Sequence, residues 1–432
     1  MYRVPYKKNY KRKVDLGNHF HNVLCLSEAK GMDIKMQIGI LTLFHNNYNY
    51  GGQLQAYALQ KYISKLGNVV ELIDYNLYPT KTVDKWVDRI YRNYRILIHP
   101  WKIKYMLKES VDAVENKYKY REILQINVKG KASSVDRFRQ FMNQMPHTGC
   151  YDRHSIKKLS DRYDIVILGG DQIWNPDYFS KQYYGTWVSK KQTIITYSAS
   201  AGRDTLEQYE LKKQTKLISK ISQISVREEN FKTLLKNILK RDDIVSVVDP
   251  VFLIDVEEWN DIAVPPQIPG KYVFAYLLNK DVNSRLKITE YAKKMKLSIV
   301  TIPHARGEYN FCDEGFGDIA KYDVGPLEFL GLIKNAECIF TDSFHGTCFS
   351  IIFHKRFYVI ENPAVNKTTN ARLKTILHKS GLLNRMLDLK NSMIDECSIN
   401  YTEVDTALCK QIRESKQWLD NAICNASNQS VK

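Results

Sequence analysis

Thr341-Asp342-Ser343-Phe344-His345-Gly346-Thr347 brings an acid, hydroxyls and an imidazole into one short stretch. An apolar run precedes it and a helix-period run follows, so it reads as a strand-to-helix turn, where functional side chains concentrate. An imidazole near a helix N-terminus can donate a proton or hold an anion. It can equally be a structural side chain satisfied within its turn. Arg227, in Ser225-Val226-Arg227-Glu228, also follows an apolar run. Its guanidinium can fork two hydrogen bonds onto a carboxylate or phosphate, or pair with Glu228 or Glu229 beside it.

Three glycine-containing loops join these candidates: Asn49-Tyr50-Gly51-Gly52-Gln53, Gly169-Gly170-Asp171-Gln172 and Ser198-Ala199-Ser200-Ala201-Gly202. Glycine lets backbone N–H groups approach an anion, and the helix expected after Gly52 adds a positive dipole. Tight turns alone explain the same glycines. None of the loops is a Walker or G-x-G-x-x-G motif. The chain has no G-x-S-x-G elbow, and no His pair lies at metal-ligand spacing. The eight cysteines form no C-x-x-C pair, and none stands beside a His at such spacing. Neither a metal nor a cofactor is therefore expected, and the thiols read as reduced and mostly buried.

The elements that must position these groups alternate strand and helix. Ile38–Phe44 is a continuous apolar run suited to a buried parallel strand. His45 to Gln53 reads as a turn, Leu54–Gly67 as an amphipathic helix closed by Gly67, and Val69–Asn76 as the next strand. Asp164–Gly170, Thr193–Gly202, Gln223–Asn230 and Ile244–Ile254 continue the series. Pro265–Gly270 reads as a linker. A second series then runs through Tyr272–Leu278, Leu297–Pro303, Cys338–Ser343 and Arg356–Ile360, with helices between and a helical stretch from Arg372. The expectation is an α/β protein of two Rossmann-like domains facing a cleft. Residues 36–264 would form the first domain, with a helical insertion at about 81–145, and 271–432 the second.

Composition narrows the function. Of 432 residues, 44% are hydrophobic and 26% charged, which excludes a disordered or fibrous chain. No apolar run reaches the about 18 residues of a membrane span, and the N-terminus lacks the apolar core of a secretory signal. Residues 1–35 read as a basic extension, either a disordered tail or the product of a misplaced start. A net charge of +17 favours anionic partners. Seven basic residues against Asp88 within 85–108, with aromatics at helical spacing, fit either an anionic membrane surface or a lid packed on the core. No nucleic-acid reading motif occurs, so nucleic acid is not expected as a partner.

Taken in order, ILTLFHNNYNYGGQLQAYALQKYISKLG, VILGGDQIWNP, TYSASAG, ISVREEN, VVDPVFLI and TDSFHGTCFSIIFHKRF resemble the polysaccharide pyruvyl transferase family. They cover about three quarters of the chain, and their combination is more specific than any one of them. The family is similar in fold to GT-B glycosyltransferases. The resemblance implies transfer of a pyruvyl group from phosphoenolpyruvate to two hydroxyls of a sugar, forming a ketal. The acceptor would be a surface polysaccharide such as a capsule or exopolysaccharide, or its lipid-linked oligosaccharide precursor. It implies a cytoplasmic enzyme touching the inner membrane face peripherally. It implies His345 as general acid, Asp171 as base and Arg227 at the donor's anionic end. Gly51, Gly52, Gln53, Gln172, Asn175, Ser343, Gly346 and Thr347 would bind substrate. Some relatives carry Arg where this chain has Ser343, so another cation must serve, with Arg203 and Arg372 as the candidates. A nucleotide-sugar glycosyltransferase on the same fold is the alternative. A non-catalytic protein that uses its charge to bind glycan or, less in keeping with the motifs, nucleic acid is a third.

Overall fold

The apolar runs become strands of two parallel sheets. The structure, a computed structural model, describes residues 35–78, 132–203, 206–305, 310–361, 370–387, 389, 394 and 396–430. The basic segment 85–108 and the leading residues 1–34 lie outside the described residues. So does most of the insertion expected at about 81–145.

The first half holds β1 (Gln37–Leu41), α1 (Tyr50–Lys65), β2 (Val69–Leu72), α2 (132–143), β3 (Ile165–Gly169), β4 (Thr193–Ala199), α3 (Gln208–Ile218), β5 (Gln223–Val226), α4 (Glu229–Leu239), β6 (Val245–Ser246) and α5 (Val256–Ile262). Its six strands lie in the order β2-β1-β3-β4-β5-β6, all parallel. The second half holds β7 (Tyr272–Tyr276), α6 (Val282–Met295), β8 (Ser298–Thr301), β9 (Ile319–Ala320), α7 (Pro326–Asn335), β10 (Cys338–Thr341), α8 (Phe344–Ile352), β11 (Arg356–Ile360), α9 (Asn370–Lys379), β12 (Met386–Leu387) and α10 (Tyr401–Ser430). Its order is β12-β11-β10-β7-β8-β9, again all parallel. Two Rossmann-like α/β halves in this arrangement are GT-B-like. Parallel sheets need apolar cover on both faces, which explains why the strands read as unbroken apolar runs.

Two elements differ from the expectation, and both matter for the site. The stretch read as a turn through Gln53 is already helix: α1 starts at Tyr50, so Gly51 and Gly52 occupy its first turn. Asn49 makes this possible, because its side-chain oxygen accepts from the Gly52 N–H at 3.0 Å and caps the helix. The strand expected over Ile244–Ile254 shrinks to Val245–Ser246. Pro250 has no N–H for a sheet ladder, so a short 3₁₀ turn, Pro250–Phe252, replaces the strand and turns Asp249 inward.

Helix α1 joins the halves. Tyr50 stacks on Phe329 of α7 at 4.5 Å between ring centroids, and its hydroxyl donates to the Val324 carbonyl at 3.2 Å. Tyr57 packs on Trp259, which meets Phe349 of α8 edge-on at 5.0 Å. Such aromatic pairs add about 0.5–1.5 kcal/mol each beyond their burial, so the N-terminus of α1 is held firmly against the second half. Helix α10 makes a second tie. Its Tyr401 hydroxyl donates to the Lys355 carbonyl at 2.5 Å, whereas farther along Ser415 accepts from the Val248 N–H at 3.0 Å. Among the described residues no helix is long and apolar enough to cross a membrane.

Candidate active site

All strands of each sheet point one way, so the loops at their carboxyl ends collect on one edge, where α/β proteins hold ligands. His345 comes from the end of β10. The Thr341 hydroxyl donates to the Tyr276 carbonyl at 2.8 Å and accepts from the Ser343 N–H at 3.0 Å, which ends the strand. Ser343 then caps α8 by accepting from the Gly346 N–H at 3.3 Å, and Thr347 donates back to the Ser343 carbonyl at 3.0 Å. Gly346 has no room for a side chain, since a Cβ there would lie 2.6 Å from the Thr341 hydroxyl. Ser343, Gly346 and Thr347 thus hold the turn that presents His345.

His345 is 8% exposed, and its imidazole meets the first half on two sides. Its Nε2 lies 3.4 Å from Asp249 Oδ2. Its Nδ1 faces Gly51 so closely that any Cβ on Gly51 would overlap the ring. Asp249 itself is fully buried and pairs with Arg227, Nη2 to Oδ2, at 2.8 Å. Burial alone would push the Asp249 carboxyl up, but the Arg227 charge and His345 outweigh it and hold the carboxyl below its usual range. Arg227 does not pair with the adjacent glutamates by salt bridge. It reaches Asp249 and donates to the Gly170 carbonyl, which the left-handed Gly170 backbone (φ +91°) turns toward it. The Arg227 Nη1 is buried with no hydrogen-bond partner among the described residues.

A second guanidinium comes from α9. Arg227 lies 5.0 Å and Arg372 5.8 Å from the centre of the Phe344 ring. With its amide oxygen turned to the guanidinium, Gln172 accepts from Arg372 Nη1 at 2.9 Å and Nη2 at 3.3 Å. Asn175 stands 3.0 Å from the Gln172 amide. The Arg372 Nε is buried and unpartnered among the described residues. Burial, and then the like charge of Arg227, hold the Arg372 guanidinium below its usual range. Burial likewise raises the Glu228 carboxyl despite both arginines, which weakens it as their counter-ion; its Oε1 accepts from the Ser200 hydroxyl.

Asp171 lies on the same edge. Its Oδ1 accepts from the Gln172 N–H at 2.8 Å, and its Oδ2 is 3.2 Å from where a Gly52 side chain would start. Gln53 does not face this space. It is fully buried and donates to the Phe44 and Asn47 carbonyls at 3.1 and 2.8 Å, bracing the loop ahead of α1. Arg203 is engaged elsewhere, with Asp177 and, at 3.8 Å, Glu210. Sequence reasoning missed Asp249, Phe344 and Glu228. The signal for Asp249 was present: one acid before a proline within the apolar Val247–Ile254.

A family model described as polysaccharide pyruvyl transferase matches residues 49–363. No curated protein matches. Among solved structures, UDP-GlcNAc 2-epimerase of Methanocaldococcus jannaschii is similar with a TM-score of 0.42 and 14% identity, over 89% of this chain and 94% of that one. UDP-N-acetylglucosamine 2-epimerase of Rickettsia bellii gives 0.46 and 11%, over 91% and 96%. The N-terminal domain of trehalose-6-phosphate phosphatase of Candida albicans gives 0.48 and 11%, over 92% and 98%.

Proposed function

The chain belongs to the polysaccharide pyruvyl transferase family, and on that premise we propose that it moves a pyruvyl group from phosphoenolpyruvate onto two hydroxyls of a sugar. The product is a cyclic ketal on a surface polysaccharide or its lipid-linked precursor. The observation that carries this reading is the pair of guanidiniums on Phe344, the neighbour of His345, each with a buried N–H that lacks a partner among the described residues. A small anion carrying a carboxylate and a phosphate supplies acceptors for both.

Protonation of the donor's methylene carbon makes its neighbouring carbon oxocarbenium-like. His345 gives that proton, and Asp249, 3.4 Å from its Nε2, steadies the charge on the ring. One sugar hydroxyl attacks the cationic carbon and loses its proton to Asp171. The C–O bond to phosphate breaks, and the second hydroxyl closes the ring on the cationic carbon so formed, its proton returning to His345 while Asp171 passes its own to the departing phosphate. Arg227 and Arg372 hold the charge of the donor and of the departing phosphate. The base role of Asp171 rests on its place at the strand edge opposite the α1 N-terminus.

The direct test supplies phosphoenolpyruvate and an acceptor glycan, and reads phosphate release together with the mass gained by the glycan. Arg372→Ala is expected to weaken donor binding about 10–150-fold, the worth of one charged hydrogen bond at about 1.5–3 kcal/mol. Nucleotide release from a nucleotide sugar, with no phosphate from phosphoenolpyruvate, would replace this reading with a glycosyltransferase.

Gly51→Ala tests the fit around the imidazole. Alanine favours a helix over glycine by about 0.8–1 kcal/mol, so the variant should fold. Its methyl group needs the place of the His345 ring, and an about 1 Å displacement of a reacting group costs about 10²-fold. Turnover is expected to fall by about that factor, and the thermal midpoint only modestly, since overpacking at about 1–3 kcal/mol is partly offset by the helix propensity gained. Full activity in Gly51→Ala would free His345 from the arrangement described.

A further inference from the structure

Away from the arginines, three side chains from distant parts of the chain meet at the β1–β2 end of the first sheet. His45 follows β1, Asp74 follows β2, and Cys150 lies on the segment that pairs with the chain after β2. His45 Nδ1 is 2.6 Å from Asp74 Oδ1 and 3.7 Å from Cys150 Sγ. All three donor atoms lie within 4.8 Å of one another.

A Cys-His-Asp set also invites a nucleophile reading, but the geometry excludes it. In a catalytic triad the thiol and the acid use opposite ring nitrogens. Here both converge on Nδ1, and Nε2 is 2.9 Å from the Asn46 amide. Donors converging on one point suit a cation between them. From the geometry of His45, Asp74 and Cys150 we infer a binding site for a divalent transition metal of the zinc type, with solvent as the fourth ligand. Thiolate, imidazole and carboxylate together are a zinc donor set, and an open fourth position suits the exposure of Cys150.

The spacing fits. Tetrahedral zinc with its usual bond lengths puts sulfur and nitrogen about 3.6 Å apart and nitrogen and oxygen about 3.4 Å apart. The first gap is already met. The second opens by less than about 1 Å once the proton shared by Nδ1 and Oδ1 leaves. Binding therefore releases the thiol proton and moves the ring proton to Nε2, where the Asn46 amide oxygen, once turned, accepts it. The backbone carrying the ligands is braced: Leu72 N–H donates to Pro146 O at 2.9 Å, Thr148 N–H to Leu72 O at 2.9 Å and Tyr151 N–H to Asp74 O at 2.8 Å. His45 lies on the loop that leads into α1, so a bound ion would tether the approach to Gly51. The inference does not depend on the proposed reaction.

Co²⁺ is the probe, because its thiolate charge-transfer band reports a Cys ligand directly. The chelator-treated full chain should take up one equivalent with that band, and Zn²⁺ should displace it. Cys150→Ser should abolish the band, and both Cys150→Ser and His45→Gln should weaken Co²⁺ binding by more than the about 10–100-fold of a lost outer partner. The thermal midpoint of metal-free Cys150→Ser should match wild type, and Zn²⁺ should raise the midpoint of wild type alone. No charge-transfer band in wild type, or a band that persists in Cys150→Ser, overturns the site.

Discussion

His345→Ala is expected to lower turnover by about 10²–10⁴-fold at saturating donor, the usual worth of a positioned proton donor. The fold should survive. Helix α8 is capped by Ser343 and anchored by Phe344, Cys348 and Phe349, none of which needs the imidazole. Asp249 keeps Arg227 as its partner when the ring is gone. Phosphate release and a thermal midpoint, taken on the same preparation, separate chemistry from stability. Turnover within a few-fold of wild type would remove His345 from the reaction.

Asp249→Asn carries the largest expected effect on stability. Removing one member of a buried ion pair leaves the other charge uncompensated, which costs about 3–5 kcal/mol. That is a large share of the about 5–15 kcal/mol by which folded domains exceed their unfolded chains. The denaturant midpoint should fall accordingly, and activity with it, because His345 loses the carboxylate at Nε2. A double variant, Arg227→Met with Asp249→Leu, should recover most of the stability, since apolar residues of similar size replace buried pairs at little cost. It should not recover activity. A double variant as unstable as Asp249→Asn would show that the pair is not the cause.

The same pair predicts a pH dependence. Asp249 is held below its usual range in the folded protein, whereas an unfolded Asp titrates at about 3.9. Its contribution is complete above that value and disappears as the pH falls through the lower native one. The stability gap between wild type and Asp249→Asn should therefore be full near neutrality and shrink below about pH 4. A gap that holds constant into acid would contradict the ion pair.

Each half puts its share of the site at strand ends, and the shares become complementary only when α1 docks. Tyr50 and Phe329 fix that docking, so Gly51 meets His345 in one register. The glycine carries a helix-propensity cost of about 0.8–1 kcal/mol at its position. The close approach to the imidazole accounts for its presence there.

Much of the architecture was legible in the residues. Apolar runs such as Ile165–Leu168 and Phe357–Ile360 report burial on both faces, and burial on both faces means a parallel sheet covered by helices. The turn holding His345 was legible for a related reason: its acid, hydroxyls and glycine interrupt an apolar pattern where the chain must stop being a strand. Element ends were less so, because a cap such as Asn49 or a break such as Pro250 acts on one residue while periodicity averages over many. Partners distant in sequence could not be read at all. Arg227 stands beside two glutamates, yet its salt-bridge partner is Asp249; His45, Asp74 and Cys150 have no motif spacing. Local pattern records which side of an element is buried, and so it carries the fold class and the family. Which charge meets which, and which residues close around His345, depends on how two halves pack across α1, a long-range arrangement that no local spacing encodes.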